Sequence, residues 1–321
     1  MSSKTPAIRA SLALNTSLSP QGRLRLLGRR NCCEQLLDRH HAIQERELMI
    51  TKYTIKPQSG HQTVFRLGEN GIAWLGLEIL RLEAGETWQG TLADVEAALV
   101  ALSGKFAVAI NGARSAEWNG LGGRPDIFSA APWAVYAPRN SRFKVTAESK
   151  LELAIATAPC DQDLPPAVIK PEEVRVVNVG AANWRRDVRL VIPPGSPLSQ
   201  RMIVGETINP PGNWSGIPPH KHDQITNKEN FLEEFYLYKA KPANGYGVQV
   251  GYKEDQEETY IIHNDDVFLM QNGYHPTVAA PGVTLGYLWV LSGDSKAYNI
   301  VTDPRFDWVS SAEAILKEIQ R

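Results

Sequence analysis

Cysteine is scarce in this chain: Cys32, Cys33 and Cys160 are the only three in 321 residues. Three thiols build no disulfide framework, and an adjacent pair is not a zinc-binding spacing. A reducing, cytoplasmic setting is therefore expected. No apolar run reaches the roughly 18 residues of a membrane-spanning helix. Lys and Arg number 34 against 35 Asp and Glu, for a formal charge of −1. No basic surplus points to nucleic acid, so neither nucleic acid nor membrane is an expected partner. There is no serine-centred nucleophile elbow. The glycine-rich stretch Gly120-Leu121-Gly122-Gly123 lacks the Lys-Ser/Thr that would make it a phosphate cradle. What is present is an ordinary globular composition, 43% hydrophobic and 21% charged, long enough for two domains of moderate size or one large one.

Residues 1–48 differ from the rest. They carry eight Lys/Arg against four acids, and no acid occurs before Glu34. Their composition is that of a transit peptide or of a basic, poorly ordered extension upstream of a domain starting at Met49; the extension is the reading preferred. Beyond it, short apolar runs alternate with turn residues. In Gly71–Leu82, Ala73, Leu75, Leu77 and Ile79 fall on one face of an extended chain. Asn111-Gly112 is a hairpin signal. Tyr246–Val250 and Thr259–Ile262 pair naturally across the acidic turn between them. Residues 159–171 are rich in Pro and Asp and read as a linker. Only Ser311–Gln320 shows helical spacing, through Ala312, Ile315, Leu316 and Ile319. The expected fold is all-β: two tandem jelly-roll-like barrels, 49–158 and 172–321, with a short C-terminal helix.

Three of the seven histidines fall in two short motifs, Pro218-Pro219-His220-Lys221-His222-Asp223 and Asn272-Gly273-Tyr274-His275-Pro276. His220 and His222, two apart, share one face of an extended strand. Between the motifs, Glu234 heads a strand-like run in which Tyr236 and Tyr238 share its face and Glu233 takes the other. Three imidazoles and a carboxylate make a mixed N/O site for a divalent first-row ion, with positions left for substrate. A lone strand histidine is usually a hydrogen-bonded residue; it is the combination that argues for a metal.

These stretches, with Asp266–Pro276 and the ending Asn299–Val309, resemble cupins. More specifically they resemble the 5-deoxy-glucuronate isomerases of inositol catabolism, over about residues 49–321. The uronate ketol-isomerases of pectin breakdown share the ligand pattern. The resemblance implies a bicupin in which His220, His222, Glu234 and His275 hold a divalent metal, whether Zn, Mn, Fe, Co or Ni. The gap of eleven residues between His222 and Glu234 is longer than in cupins at large and fits this subgroup. The N-terminal half has no His-x-His and is expected to bind no metal, serving packing or assembly; a homo-oligomer stays open. The implied reaction is aldose–ketose isomerisation of a small uronate. Glu233, Asp223 and Tyr274 are the candidate bases. Lys221, Lys239, Lys241 or an arginine such as Arg201 are the candidate partners for the substrate carboxylate. Two rivals are a metal-dependent cupin dioxygenase and a non-catalytic sugar-binding double barrel.

Overall fold

The computed structural model describes residues 48–319; the expectations made for residues 1–47 lie outside the described residues. The described chain is mostly antiparallel strand, closed by one C-terminal helix, Trp308–Ile319. A seven-stranded sheet runs, edge to edge, through Ile50–Thr54, Asp266–Met270, Glu233–Lys241, Thr284–Ser292, Ile203–Asn209, Arg186–Ile192 and Arg175–Val179. A four-stranded sheet contains Trp214–Ser215, Thr277–Ala279, Gly247–Lys253 and Gln256–Ile262. A nine-stranded sheet gathers the strands between Gly60 and Ile169. His220–Lys221 and Val301–Thr302 form a two-stranded ribbon. In neither large sheet do the outermost strands pair with each other among the described residues, so the sheets are open.

The main cores follow from period-2 alternation. Along Glu233–Lys241, Phe235 and Leu237 face one way and Tyr236 and Tyr238 the other. Phe235 and Leu237, with Val204, Val267 and Val290, join Phe65, Leu77, Ile79, Val100 and Ala156 from the nine-stranded sheet in one shared core. Complete burial of a side chain the size of Phe235 contributes about 2–3 kcal/mol. Tyr236 and Tyr238 instead pack with Phe268, Met270, Ile262, Leu285 and Tyr287, between the seven- and four-stranded sheets. A further core, with Leu99, Phe106, Phe143 and Leu153, lies within the first half.

Strand pairing crosses the expected division at residues 159–171. Ile50–Thr54, at the start of the first half, pairs with Asp266–Met270 in the second. The expected linker itself contains the strand Ala167–Ile169, which pairs with Ala134–Ala137. Two readings change length. The apolar run from Gly71 becomes strand only at Gly76, because the N–H groups of Ala73, Trp74 and Leu75 donate to the Glu233 carboxylate instead of a ladder. The two short runs around Gly104 form one strand, Val95–Asn111, with a register shift at Gly104. There φ is +86° and a Cβ would sit 2.1 Å from the Lys150 carbonyl oxygen, so only glycine fits.

Candidate metal centre

His220 stands on the two-residue strand that pairs with Thr302, and His222 follows it. Glu234 lies in the strand flanked by Thr284–Ser292 and Asp266–Met270. His275 sits just before Thr277–Ala279, its carbonyl held by the Gln249 side chain at 3.0 Å. Gln249 in turn accepts from the Tyr238 hydroxyl at 2.8 Å. Local ties hold each element in place. The Leu232 N–H donates to the His222 carbonyl at 2.9 Å, and the His222 ring returns a bond to the Leu232 carbonyl. The long stretch between His222 and Glu234 wraps around Glu229, which is buried and accepts from Lys221 and from the N–H groups of Asp223 and Gln224.

One ligand atom from each of His220, His222, Glu234 and His275 lies within 4.8 Å of all the others. Each imidazole turns Nδ1 to a backbone carbonyl: Pro218 at 3.4 Å, Leu232 at 2.7 Å and Gly273 at 3.0 Å. With Nδ1 donating, each Nε2 presents a lone pair inward, the arrangement by which outer partners orient metal-binding histidines. Nε2 of His222 and of His275 stand 3.1 and 3.2 Å from Oε2 of Glu234. His275 Nε2 is buried with no hydrogen bond, a cost that a cation would remove. The donor set therefore fits a divalent metal. Burial opposes protonation of His222, but the Glu234 carboxylate beside it raises that ring above its usual value. Burial, helped by His275, pushes His220 down to about 3, so it stays neutral. Burial acts against ionisation of Glu234, yet the adjacent His222 and His275 rings hold its carboxyl down to about 2.

The three candidate bases are each engaged by other groups. Glu233 faces away from the cluster and accepts the N–H groups of Ala73, Trp74 and Leu75 at 2.8, 2.8 and 3.1 Å, tying the two halves together. Asp223 is held by Lys221 at 2.6 Å and by the Gly273 N–H at 2.9 Å, which anchors the loop bearing His275. Tyr274 stacks on Tyr252, with ring centroids 5.1 Å apart. The expected carboxylate partners are also engaged. Lys221 pairs with Asp223 and Glu229, Lys239 with Glu152 and Asp265, Lys241 with Asp126, and Arg201 with Asp161 and Asp294.

Beside His220 and Glu234 lies a cavity of about 100 Å³, lined also by Tyr236, Tyr287, Tyr298 and Arg186, with Thr207 and Ser215. Burial pulls the Arg186 guanidinium below its usual value and raises Tyr236 well above the usual phenol range. Sequence reasoning missed Arg186. In Arg185-Arg186-Asp187 nothing distinguishes it from its neighbour except period-2 alternation, which puts the two on opposite faces.

Fold and cluster together define a cupin-like protein with a three-histidine, one-glutamate centre. Comparison with known proteins makes this specific. The KduI/IolB family model matches residues 51–309, and the chain belongs to that family. It is 36% identical over 264 residues to the 5-deoxy-glucuronate isomerase of Geobacillus kaustophilus, covering 80% of this chain and 94% of that one. The protein of the same name from Bacillus subtilis strain 168 is 30% identical, with 74% and 88% covered. Among solved structures, an IolB-like protein from Salmonella typhimurium LT2 superposes with a TM-score of 0.77 at 28% identity, covering 82% of this chain and 99% of that one. An oxalate decarboxylase from Lactobacillus farciminis shares the fold alone, with a TM-score of 0.59 at 11% identity and coverage of 86% and 94%.

Proposed function

We propose that this protein is a cytoplasmic, metal-dependent isomerase that converts 5-deoxy-glucuronate to 5-dehydro-2-deoxy-gluconate in inositol catabolism. We read it as a bicupin whose second module carries the chemistry and whose first supports it. The observation that carries the reading is the convergence of three Nε2 atoms and the Glu234 carboxylate on one point beside a polar cavity. The relatives' shared name adds the substrate.

His220, His222, Glu234 and His275 would hold the cation. When bound, it supplies Lewis acidity toward the carbonyl and adjacent hydroxyl of an open-chain sugar. The protein's own groups do the rest. Glu234 is the sole carboxylate of the cavity wall. The Tyr236 hydroxyl has no hydrogen-bond partner among the described residues, and Tyr287 shares a 2.6 Å bond with Ser215. Tyr236 and Tyr298 are thus placed to hold a proton near the reacting carbons, the role first expected of Glu233, Asp223 or Tyr274. Packing of Tyr236 on Tyr287, with centroids 4.7 Å apart, keeps bulk water from that side.

The test is a turnover assay on 5-deoxy-glucuronate with metal analysis of the same sample. Stoichiometric metal and conversion to the 2-deoxy ketose support the reading. Oxygen uptake with a diketone or flavonol, or tight metal binding with no sugar turned over, would replace it with the dioxygenase or the binding-protein reading.

A further inference from the structure

Arg186 is 8% exposed, yet its guanidinium forms no ion pair among the described residues. Among the described residues the other buried arginine behaves differently: Arg124 is paired with Glu206, a carboxylate that the half-buried Arg189 also reaches at 3.2 Å. Buried cations are normally paired, because an uncompensated charge in a low-dielectric interior is expensive. Arg186 donates to two backbone carbonyls only, Trp184 at 3.0 Å and Ile217 at 3.2 Å. A guanidinium has five N–H donors, so three remain. Glu313, whose field reaches Arg186, is engaged by Lys317 and by the Gly180 N–H. Arg186 lines the same cavity as His220 and Glu234, together with the hydroxyl-bearing side chains of Tyr236, Tyr298, Thr207 and Ser215.

We propose that Arg186 is the carboxylate anchor of the active site: it binds the acid end of the uronate while the carbonyl end lies at the histidine–glutamate cluster. The assignment rests on the isomerase reading and deepens it. A uronate has its carboxylate and its reacting carbonyl at opposite ends of one short chain, and the wall of one cavity carries both the Arg186 cation and two members of the ligand cluster, His220 and Glu234. The flat guanidinium matches a carboxylate with two parallel hydrogen bonds. The substrate's charge supplies what the fold withholds from Arg186. The cavity therefore selects an acid sugar over a neutral one, and Arg186 is a specificity determinant.

The experiment compares wild type with Arg186→Met and Arg186→Lys in the metal-loaded full chain. Three quantities are read: metal content, kcat/KM on 5-deoxy-glucuronate against its uncharged methyl ester, and calorimetric affinity for the reduced sugar acid. That last probe keeps the carboxylate but has no carbonyl to isomerise. Truncating one member of a buried charge pair weakens binding by about 30-fold or more. Arg186→Met is expected to weaken the reduced acid by that factor and to collapse the preference for uronate over ester, with metal content unchanged. Arg186→Lys, which keeps the charge without the fork, falls between. Unchanged affinity and preference in Arg186→Met would overturn the assignment. So would metal loss in both variants, which would show that Arg186 only holds the Ile217 carbonyl ahead of His220. A wild type that binds and isomerises nothing would instead refute the isomerase reading, and the anchor with it.

Discussion

Glu233 and Glu234 are neighbours in sequence and face opposite sides of one strand, so a matched pair of variants separates scaffold from site. Glu233 accepts three backbone N–H groups from residues 73–75. In Glu233→Gln only one oxygen remains to accept, and the new NH₂ faces donors. Net hydrogen bonds to a charged group are worth about 1.5–3 kcal/mol each. Burial already opposes ionisation of Glu233 and holds its carboxyl above the usual range, despite those bonds. The expected loss is therefore less than their sum, about 2–4 kcal/mol. For a chain of this size each kcal/mol lowers Tm by about 1.5–2 °C. Glu233→Gln should thus melt roughly 3–8 °C lower while keeping its metal and turning over near the wild-type rate. Glu234→Gln should do the reverse. It loses the anionic ligand, so bound metal and turnover drop by more than the roughly 10–100-fold that outer-shell changes cost. Scanning calorimetry, metal analysis and a turnover assay on both proteins suffice. Glu233→Gln inactive with metal retained and Tm unchanged would refute the reasoning and return Glu233 to the chemistry.

Other expectations follow from the same geometry. Asp223→Asn removes a carboxylate oxygen from the Gly273–His275 loop or from Lys221 and should weaken metal about 10–100-fold in a competition titration; unchanged affinity would show that the loop holds itself. Arg124→Ala strips a buried partner from Glu206 and should cost about 3–5 kcal/mol in denaturant unfolding; a loss under about 1 kcal/mol would mean that Arg189 alone suffices. Glu152 bridges the halves through Arg81 and Lys239. Although burial opposes it, these cations hold its carboxyl below the usual value. A lowered folded pKa gives stability that is complete above the unfolded value, about 4.3, and is lost as pH falls through the folded one. The Tm gap between wild type and Glu152→Gln should accordingly be wide at pH 7 and shrink as pH falls below the unfolded value; a gap independent of pH would remove the ion pair from the account.

The candidate ligand set was legible because its signals are short-range. The two-residue spacing of His220 and His222, and the period-2 face shared by Glu234, Tyr236 and Tyr238, are properties of a strand before any tertiary contact exists. The convergence of His275 with them is set by the Gln249 and Asp223 contacts, which span 26 and 50 residues, and no local pattern encodes it. The same limit governs the candidate bases and anchors. Alternation put Glu233 opposite Glu234, but its partners lie about 160 residues away. The four cations proposed for the substrate carboxylate are each neutralised by an acid brought near only by folding. Arg186 is distinguished by the acid it lacks, which a sequence does not display. The strand Ile50–Thr54 likewise pairs with residues more than 200 positions distant, so a boundary read from Pro and Asp content missed it.

The most direct measurement is turnover of 5-deoxy-glucuronate by one preparation before chelation, after chelation, and after metal is restored. The account predicts activity lost with the metal and recovered with it, while His220→Ala and Glu234→Ala neither bind metal nor recover. Full activity in the stripped protein would contradict it.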